Sequence, residues 1–207
     1  MTQKENVSVL RRAAQLLAEF KIAELSEEWI AEQEKQYAAL QAGNAFLEPD
    51  LAGTVVNLLI RLGMGKYDYQ AWTWSPTSDR VYCVDPEAFL VPRMYELLFE
   101  GFAAIGQGEL SFAEVVQEDD EEKEERRVRF LFNGVPCGFC QKGEFSWDFY
   151  CIEAFETVNR ALAQQGKTKR LCLVLSDMLC VFYSEPEWAA RFAQQSGCML
   201  QLPGVSQ

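Results

Sequence analysis

Two short apolar runs near the C-terminus, Arg170-Leu-Cys-Leu-Val-Leu175 and Leu179-Cys-Val-Phe-Tyr183, restrict the possible folds more than any other stretch. Neither alternates apolar with polar residues, which is the pattern of strands covered on both faces. Ser176-Asp177 separates them, so they predict a buried hairpin. A helix is expected from Ser184, because Ser184 and Glu187 have the spacing of a capping box. Trp188, Ala189, Phe192 and Ala193 then form a stripe that lays this helix back on the hairpin.

The first third of the chain is helical in pattern. Val9, Leu10, Ala13, Leu16, Leu17 and Phe20 keep a helical period, and Ser26-Glu27-Glu28 marks the start of a second helix carrying Trp29 and Ile30. A third helix is expected with Pro49 in its first turn, Val55, Leu58 and Leu59 inward, and Gly63 and Gly65 at its end. Residues 1–65 are therefore expected to be an N-terminal helical region, and residues 66–207 an α+β domain.

Beyond residue 66 the pattern turns to strands. Residues 69–74 and 80–84 flank a turn-rich link and predict a hairpin, and Asp85-Pro86-Glu87 has the form of a helix start. Pro92 interrupts that pattern, which places the main helix at 92–105 with Met94, Leu97, Leu98, Gly101, Phe102 and Ile105 inward. Residues 109–116 predict a strand. Residues 118–125 carry seven acids and one lysine, and self-repulsion makes them an exposed, mobile connection. Asn133-Gly134 between apolar runs is a strong hairpin signal, a helix over 145–162 follows, and a last strand spans 198–202. The fold class expected is α+β, a mainly antiparallel sheet with helices packed on one face.

Function is bounded more by exclusion than by motif. The chain has no histidine, which removes Ser-His-Asp and Cys-His catalysis and histidine metal sites. A net charge of −12 with no basic stripe disfavours nucleic acid and anionic membranes and favours a basic partner. No apolar run approaches a membrane span, and the N-terminus leads into no signal-type segment, so a cytoplasmic location is expected. The seven cysteines (83, 137, 140, 151, 172, 180, 198) sit mostly in apolar patterns, as free structural thiols do.

Cys137-Gly-Phe-Cys140 is the sharpest chemical candidate. A dithiol redox site needs the first cysteine at a helix N-terminus, and zinc needs two more soft ligands, whereas this pair lies in the return strand of a hairpin. Gly166-Lys167-Thr168 resembles the end of a phosphate-binding loop but lacks its upstream glycine and runs from helix to strand. Tyr67, Tyr69, Trp72 and Trp74 crowd one predicted strand, where alternation allows one pair to face outward as a partner hot spot.

Val81-Tyr-x-Val-Asp85, Met94-Tyr95, Gly101 to Ile105, Gly108-Glu-Leu-x-Phe112, Asn133-Gly134, Lys169-Arg-Leu171 and Val181-Phe-Tyr-Ser-x-x-Glu-Trp-Ala189 resemble a loosely defined group of uncharacterised bacterial cytoplasmic proteins. Some of these look like immunity proteins of toxin systems. The resemblance covers residues 67–200 and implies a non-catalytic, partner-binding role. The expectation is thus a protein-binding protein, most simply of immunity type, that neutralises a basic toxin or effector. Its contact residues would be Glu118, Asp119, Asp120, Glu121 and Glu122 with Trp72 and Trp74, and it would use no cofactor. Two alternatives stay open: a thiol-dependent redox or zinc-binding protein using Cys137 and Cys140, and a structural or adaptor subunit assembled through the N-terminal helices.

Overall fold

The computed structural model describes residues 8–43, 50–68, 70–71, 73–85, 93–120, 122–142 and 152–204. Its helices are α1 (Val9–Glu19), α2 (Glu27–Gly43), α3 (Leu51–Gly63), α4 (Met94–Ile105), α5 (Ile152–Gln164) and α6 (Pro186–Ser196). Its strands are β1 (Lys66–Asp68), β2 (Thr73–Ser75), β3 (Tyr82–Val84), β4 (Phe112–Asp120) and β5 (Glu125–Phe132). They continue with β6 (Val135–Lys142), β7 (Arg170–Leu175), β8 (Leu179–Ser184) and β9 (Leu200–Gln201).

Four strands make an antiparallel sheet in the order β3-β8-β7-β9, and the predicted hairpin β7–β8 is its centre. Successive residues of the hairpin enter different cores. Leu171, Leu173 and Val181, with Tyr82 and Val84 of β3, pack on α4 and α5. Val174, Cys180 and Phe182, with Val81 and Cys83, pack on α1, α3 and α6. A sheet covered twice has no solvent face to encode, which is why these runs show no alternation. Each such side chain contributes about 1.5–3 kcal/mol on leaving water.

The α+β class is as expected, and the arrangement of its helices has two parts. The four-stranded sheet carries helices on both faces, and the three-stranded antiparallel sheet β4-β5-β6 carries them on one. Helices α4 and α5 touch both sheets and so lie between them. Phe99 stacks on Phe112 at 4.8 Å and meets Phe130 at 4.4 Å, while Phe102 meets Phe155 at 4.7 Å. The N-terminal helical region, 1–65, shares a core with the sheet of 66–207, because Leu17, Val55 and Leu59 pack with Val174 and Phe182. Arg11 joins α1 to α2 through Glu27 at 2.6 Å and Glu34 at 3.1 Å.

Several boundaries differ from expectation for local reasons. The capping box at Ser184 does not form: Ser184 stays in β8 opposite Arg170, and Glu185 is the N-cap with Pro186 in the first turn. Proline has no N–H to satisfy and fixes a helical φ, so it sets the start of α6 one residue later. Asp50 caps α3, its Oδ1 accepting from Gly53 N at 2.6 Å, while Pro49 lies outside the described residues. Among the described residues, those of 69–74 and 80–84 do not pair with each other. Instead β1 pairs with β2 in a small hairpin of its own, and β3 joins β8, where its apolar residues are buried. The proposed helix start at Pro86-Glu87 and the first turns of the helix expected from 145 lie outside the described residues.

The acidic stretch is the largest correction. Half of the expected connection, residues 118–125, is strand: β4 runs through Asp120 and β5 begins at Glu125, leaving only 122–124 as a turn among the described residues. Self-repulsion is offset because the next strand returns with arginines in register. Arg126, directly opposite Asp119, grips both its carboxylate oxygens at 2.8 and 2.9 Å. Arg129 takes Glu118 at 2.6 Å, and Lys123 takes Asp120 at 2.5 Å. At the other end of β5, Asn133 and Gly134 adopt φ of 49° and 78°, the positive values that the two-residue turn requires.

Candidate functional site

The sequence-predicted contact residues separate in the structure. Glu118, Asp119 and Asp120 lie on β4 and are already ion-paired within the chain. Glu122 is exposed in the turn, and Glu121 and Trp72 lie outside the described residues. Trp74 is half-buried: its ring meets Tyr82 edge-on at 5.0 Å and its indole N–H donates to the Met64 carbonyl at 2.8 Å. The indole thus serves packing and has no free donor for a partner.

Cys137 and Cys140 lie three positions apart on β6, so alternation turns them to opposite faces. Their Cα atoms are separated by about 10 Å of extended strand, beyond the reach of a disulfide. Cys137 packs against the core and burial pushes its thiol up, while Cys140 is exposed beside Arg127. The thiols of Cys83 and Cys180, directly opposed on β3 and β8, approach to 3.0 Å inside the core, and burial raises the Cys83 thiol far above its ordinary value. Burial likewise pushes Cys172 up to about 11. These are the properties of structural thiols. Among the described residues no cluster of three or more Cys, Asp and Glu side chains is arranged to hold a metal ion, and no helix is long and apolar enough to cross a membrane.

A groove of about 380 Å³ runs between α4 and β4. Phe99, Ala103, Phe112 and Val115 form its apolar lining, and Glu96, Glu100 and Glu114 supply its charge. Glu96 and Glu100 are one helical turn apart on α4, where Arg93 contacts them at 2.5 and 3.2 Å. Glu114 sits where the β4–β5 register shifts between Ala113 and Val116, with a φ of 51°. Such a bulge re-aims one side chain of a strand, and here that side chain is a carboxylate. Strand β4 pairs only with β5, so its other edge is open among the described residues. An open edge offers a row of main-chain donors and acceptors to another strand.

None of the residues expected from the sequence to contact a partner lines this groove. Glu96 and Glu100 flank the apolar stripe of the predicted helix at the i, i+4 spacing of one face. Nothing local announces Glu114, because its position depends on a bulge and on the pairing of a distant strand. No family model, curated protein or solved structure matches this chain.

The ion pairs around the site make stability depend on pH. Arg126 holds Asp119 below the ordinary carboxylate range, Lys142 and Arg127 do so for Glu125, and Lys169 for Glu109. A carboxyl lowered in the folded state contributes stability above its unfolded pKa of about 4 and loses it as pH falls toward the folded value. Urea unfolding should therefore show stability falling below pH ~4.5. The difference between wild type and Arg126→Gln should shrink as Asp119 takes up its proton. A difference unchanged between pH 7 and pH 2.5 would contradict the pairing.

Proposed function

We propose that the protein is a non-catalytic binding protein that receives a basic, extended polypeptide segment along the open edge of β4. The observation that carries this is the coincidence of a free strand edge, an apolar groove beside it and three carboxylates around that groove. A strand added to β4 would gain main-chain hydrogen bonds. Every second side chain would point into one face of the groove, where Ala103, Phe112 and Val115 take apolar groups. Lysines or arginines between them would meet Glu96, Glu100 and Glu114, and the charge of −12 would speed the encounter. Glu118 and Asp119 extend the same strand. Their internal pairs mean that a partner must compete with Arg129 and Arg126 for them.

The immunity reading is the most specific form of this proposal: the segment belongs to a basic toxin or effector whose surface the protein covers. The resemblance over residues 67–200 and the acidity support it. The direct test is titration with a ten-residue peptide alternating Lys and Val, against the same composition arranged as a Lys block and a Val block. The alternating peptide should shift the amide resonances of β4 and α4, bind about tenfold more tightly than the block peptide, and weaken with salt. Glu100→Lys with Glu114→Lys should abolish the difference. Equal binding of both peptides, or shifts confined to another face, would remove the proposal. The immunity form further predicts that the protein relieves growth inhibition by a co-expressed basic toxin, and that the double variant loses this relief.

A further inference from the structure

A second groove, of about 230 Å³, opens where the turn after α1, the loop before β3, the end of α4 and the β8–α6 junction meet. Its aromatic wall is the half-buried Trp188, which is stacked on Phe192 at 5.6 Å and lies 5.4 Å and 5.5 Å from the buried rings of Phe20 and Phe182. Lys21, Arg80 and Lys169 line it together with two acids, Asp79 and Glu185. Both acids are engaged. Asp79 faces Arg80 at 3.8 Å, and Glu185 accepts from the Thr168 hydroxyl at 2.8 Å.

The cations are held differently. Lys169 is fixed by Glu109, whose other oxygen accepts from the Tyr183 hydroxyl at 3.3 Å, and its ammonium lies 5.2 Å from the centre of the Tyr183 ring. Lys21 has no side-chain partner among the described residues. Its backbone is left-handed, at φ 55°, where α1 ends. Glycine is the usual residue at such a helix end because a side chain there is disfavoured. Gln107, also on this groove, is left-handed too, at φ 51°. Unfavourable backbone at non-glycine residues concentrates at ligand sites, where the side chain serves a purpose other than stability.

We propose that this groove binds a small planar aromatic carboxylate, its ring against Trp188 and its carboxylate between Lys21 and Lys169. The proposal is independent of the strand-binding reading. Stacking on Trp188 selects a flat ring, the volume suits two fused rings, and the unpaired ammonium selects an anion.

The test is titration of the full chain with 2-naphthoate, followed by amide NMR, with neutral 2-naphthamide as the matched control. Saturable shifts are expected in segments 20–22, 79–80, 105–107 and 182–188, with a Kd on the order of 1 mM or below for a ligand of this size. 2-Naphthamide should bind at least about fivefold more weakly, the scale of one exposed charge pair. Lys21→Gly should leave the melting temperature unchanged or raised and still weaken 2-naphthoate to the level of the amide. Trp188→Leu should weaken both compounds. Equal affinity for 2-naphthoate and 2-naphthamide, undiminished binding in Lys21→Gly, or no saturable shift at these segments would each overturn the proposal.

Discussion

Replacing Asn159 by aspartate is expected to destabilise the protein by several kcal/mol at neutral pH and by much less near pH 3. Asn159 is 1% exposed on α5, and all of its amide is used. Its Nδ2 donates to the carbonyls of Leu171 at 3.0 Å and Pro203 at 2.8 Å, and its Oδ1 accepts from Leu171 N at 2.8 Å. One side chain thus ties α5 to β7 and to the turn at 203–204. Aspartate keeps the shape and the acceptor but turns a second oxygen toward two carbonyls. Each orphaned carbonyl costs about 1–3 kcal/mol, and the buried charge adds to that until the group takes a proton. The folded pKa of the new carboxyl must lie above its unfolded value of about 3.9. Between those two values the folded state holds a proton that the unfolded state has lost, so stability relative to wild type falls as pH rises. Below that window the neutral acid donates one of the two lost bonds. Urea unfolding of both proteins from pH 3 to pH 8 measures the difference directly. Asn159→Leu, which lacks every polar atom, should cost about 3–5 kcal/mol with no such pH dependence. A pH-independent Asn159→Asp penalty would mean that the amide does not face those carbonyls.

Asn159 also shows where sequence reasoning stops. It falls within the predicted helix over 145–162, but its three hydrogen bonds go to residues 12 and 44 positions away and only the fold supplies them. What local patterns could reveal, they did: the hairpin of β7 and β8, the Asn133-Gly134 turn, the apolar stripe of α4 and the α+β class all follow from nearest-neighbour periodicity and turn chemistry. The failures share one cause. The acidic stretch taken alone predicts self-repulsion, although Arg126 and Arg129 follow closely and the hairpin brings Arg126 opposite Asp119 and Arg129 diagonally within reach of Glu118. Local sequence pairs residues 80–84 with 69–74, whereas β3 pairs with β8, almost a hundred residues on. The α4–β4 groove belongs to the same class. The i, i+4 spacing of Glu96 and Glu100 is the one local signal for it, and the open edge and the bulge at Glu114 are properties of assembled strands.

The second large effect expected is a reversal of sign at Gly101. In an exposed helix, glycine to alanine stabilises by about 1 kcal/mol. In α4 a Cβ at Gly101 would stand 2.4 Å from the Tyr82 ring. That ring cannot retreat: it is 5% exposed, edge-on to Trp74 at 5.0 Å and to Phe102 at 6.4 Å. Overpacking of this severity outweighs helix propensity, so Gly101→Ala should lose at least about 2 kcal/mol. In a Tyr82→Val background the obstruction is gone, and the same substitution should become neutral or stabilising by up to about 1 kcal/mol. The coupling between the two sites is then about 3 kcal/mol, read from urea unfolding of the four proteins in the cycle. Equal losses in both backgrounds would show that the ring does not rest on the helix backbone. The consequence reaches the proposed binding edge. Bare backbone at Gly101 lets β3 approach α4 closely, and α4 on its other contacts carries Phe99, Glu96 and Glu100 against β4. A methyl group that pushes α4 off Tyr82 must therefore displace the groove wall. Gly101→Ala should accordingly weaken the alternating Lys/Val peptide, and Tyr82→Val should restore it in the double variant.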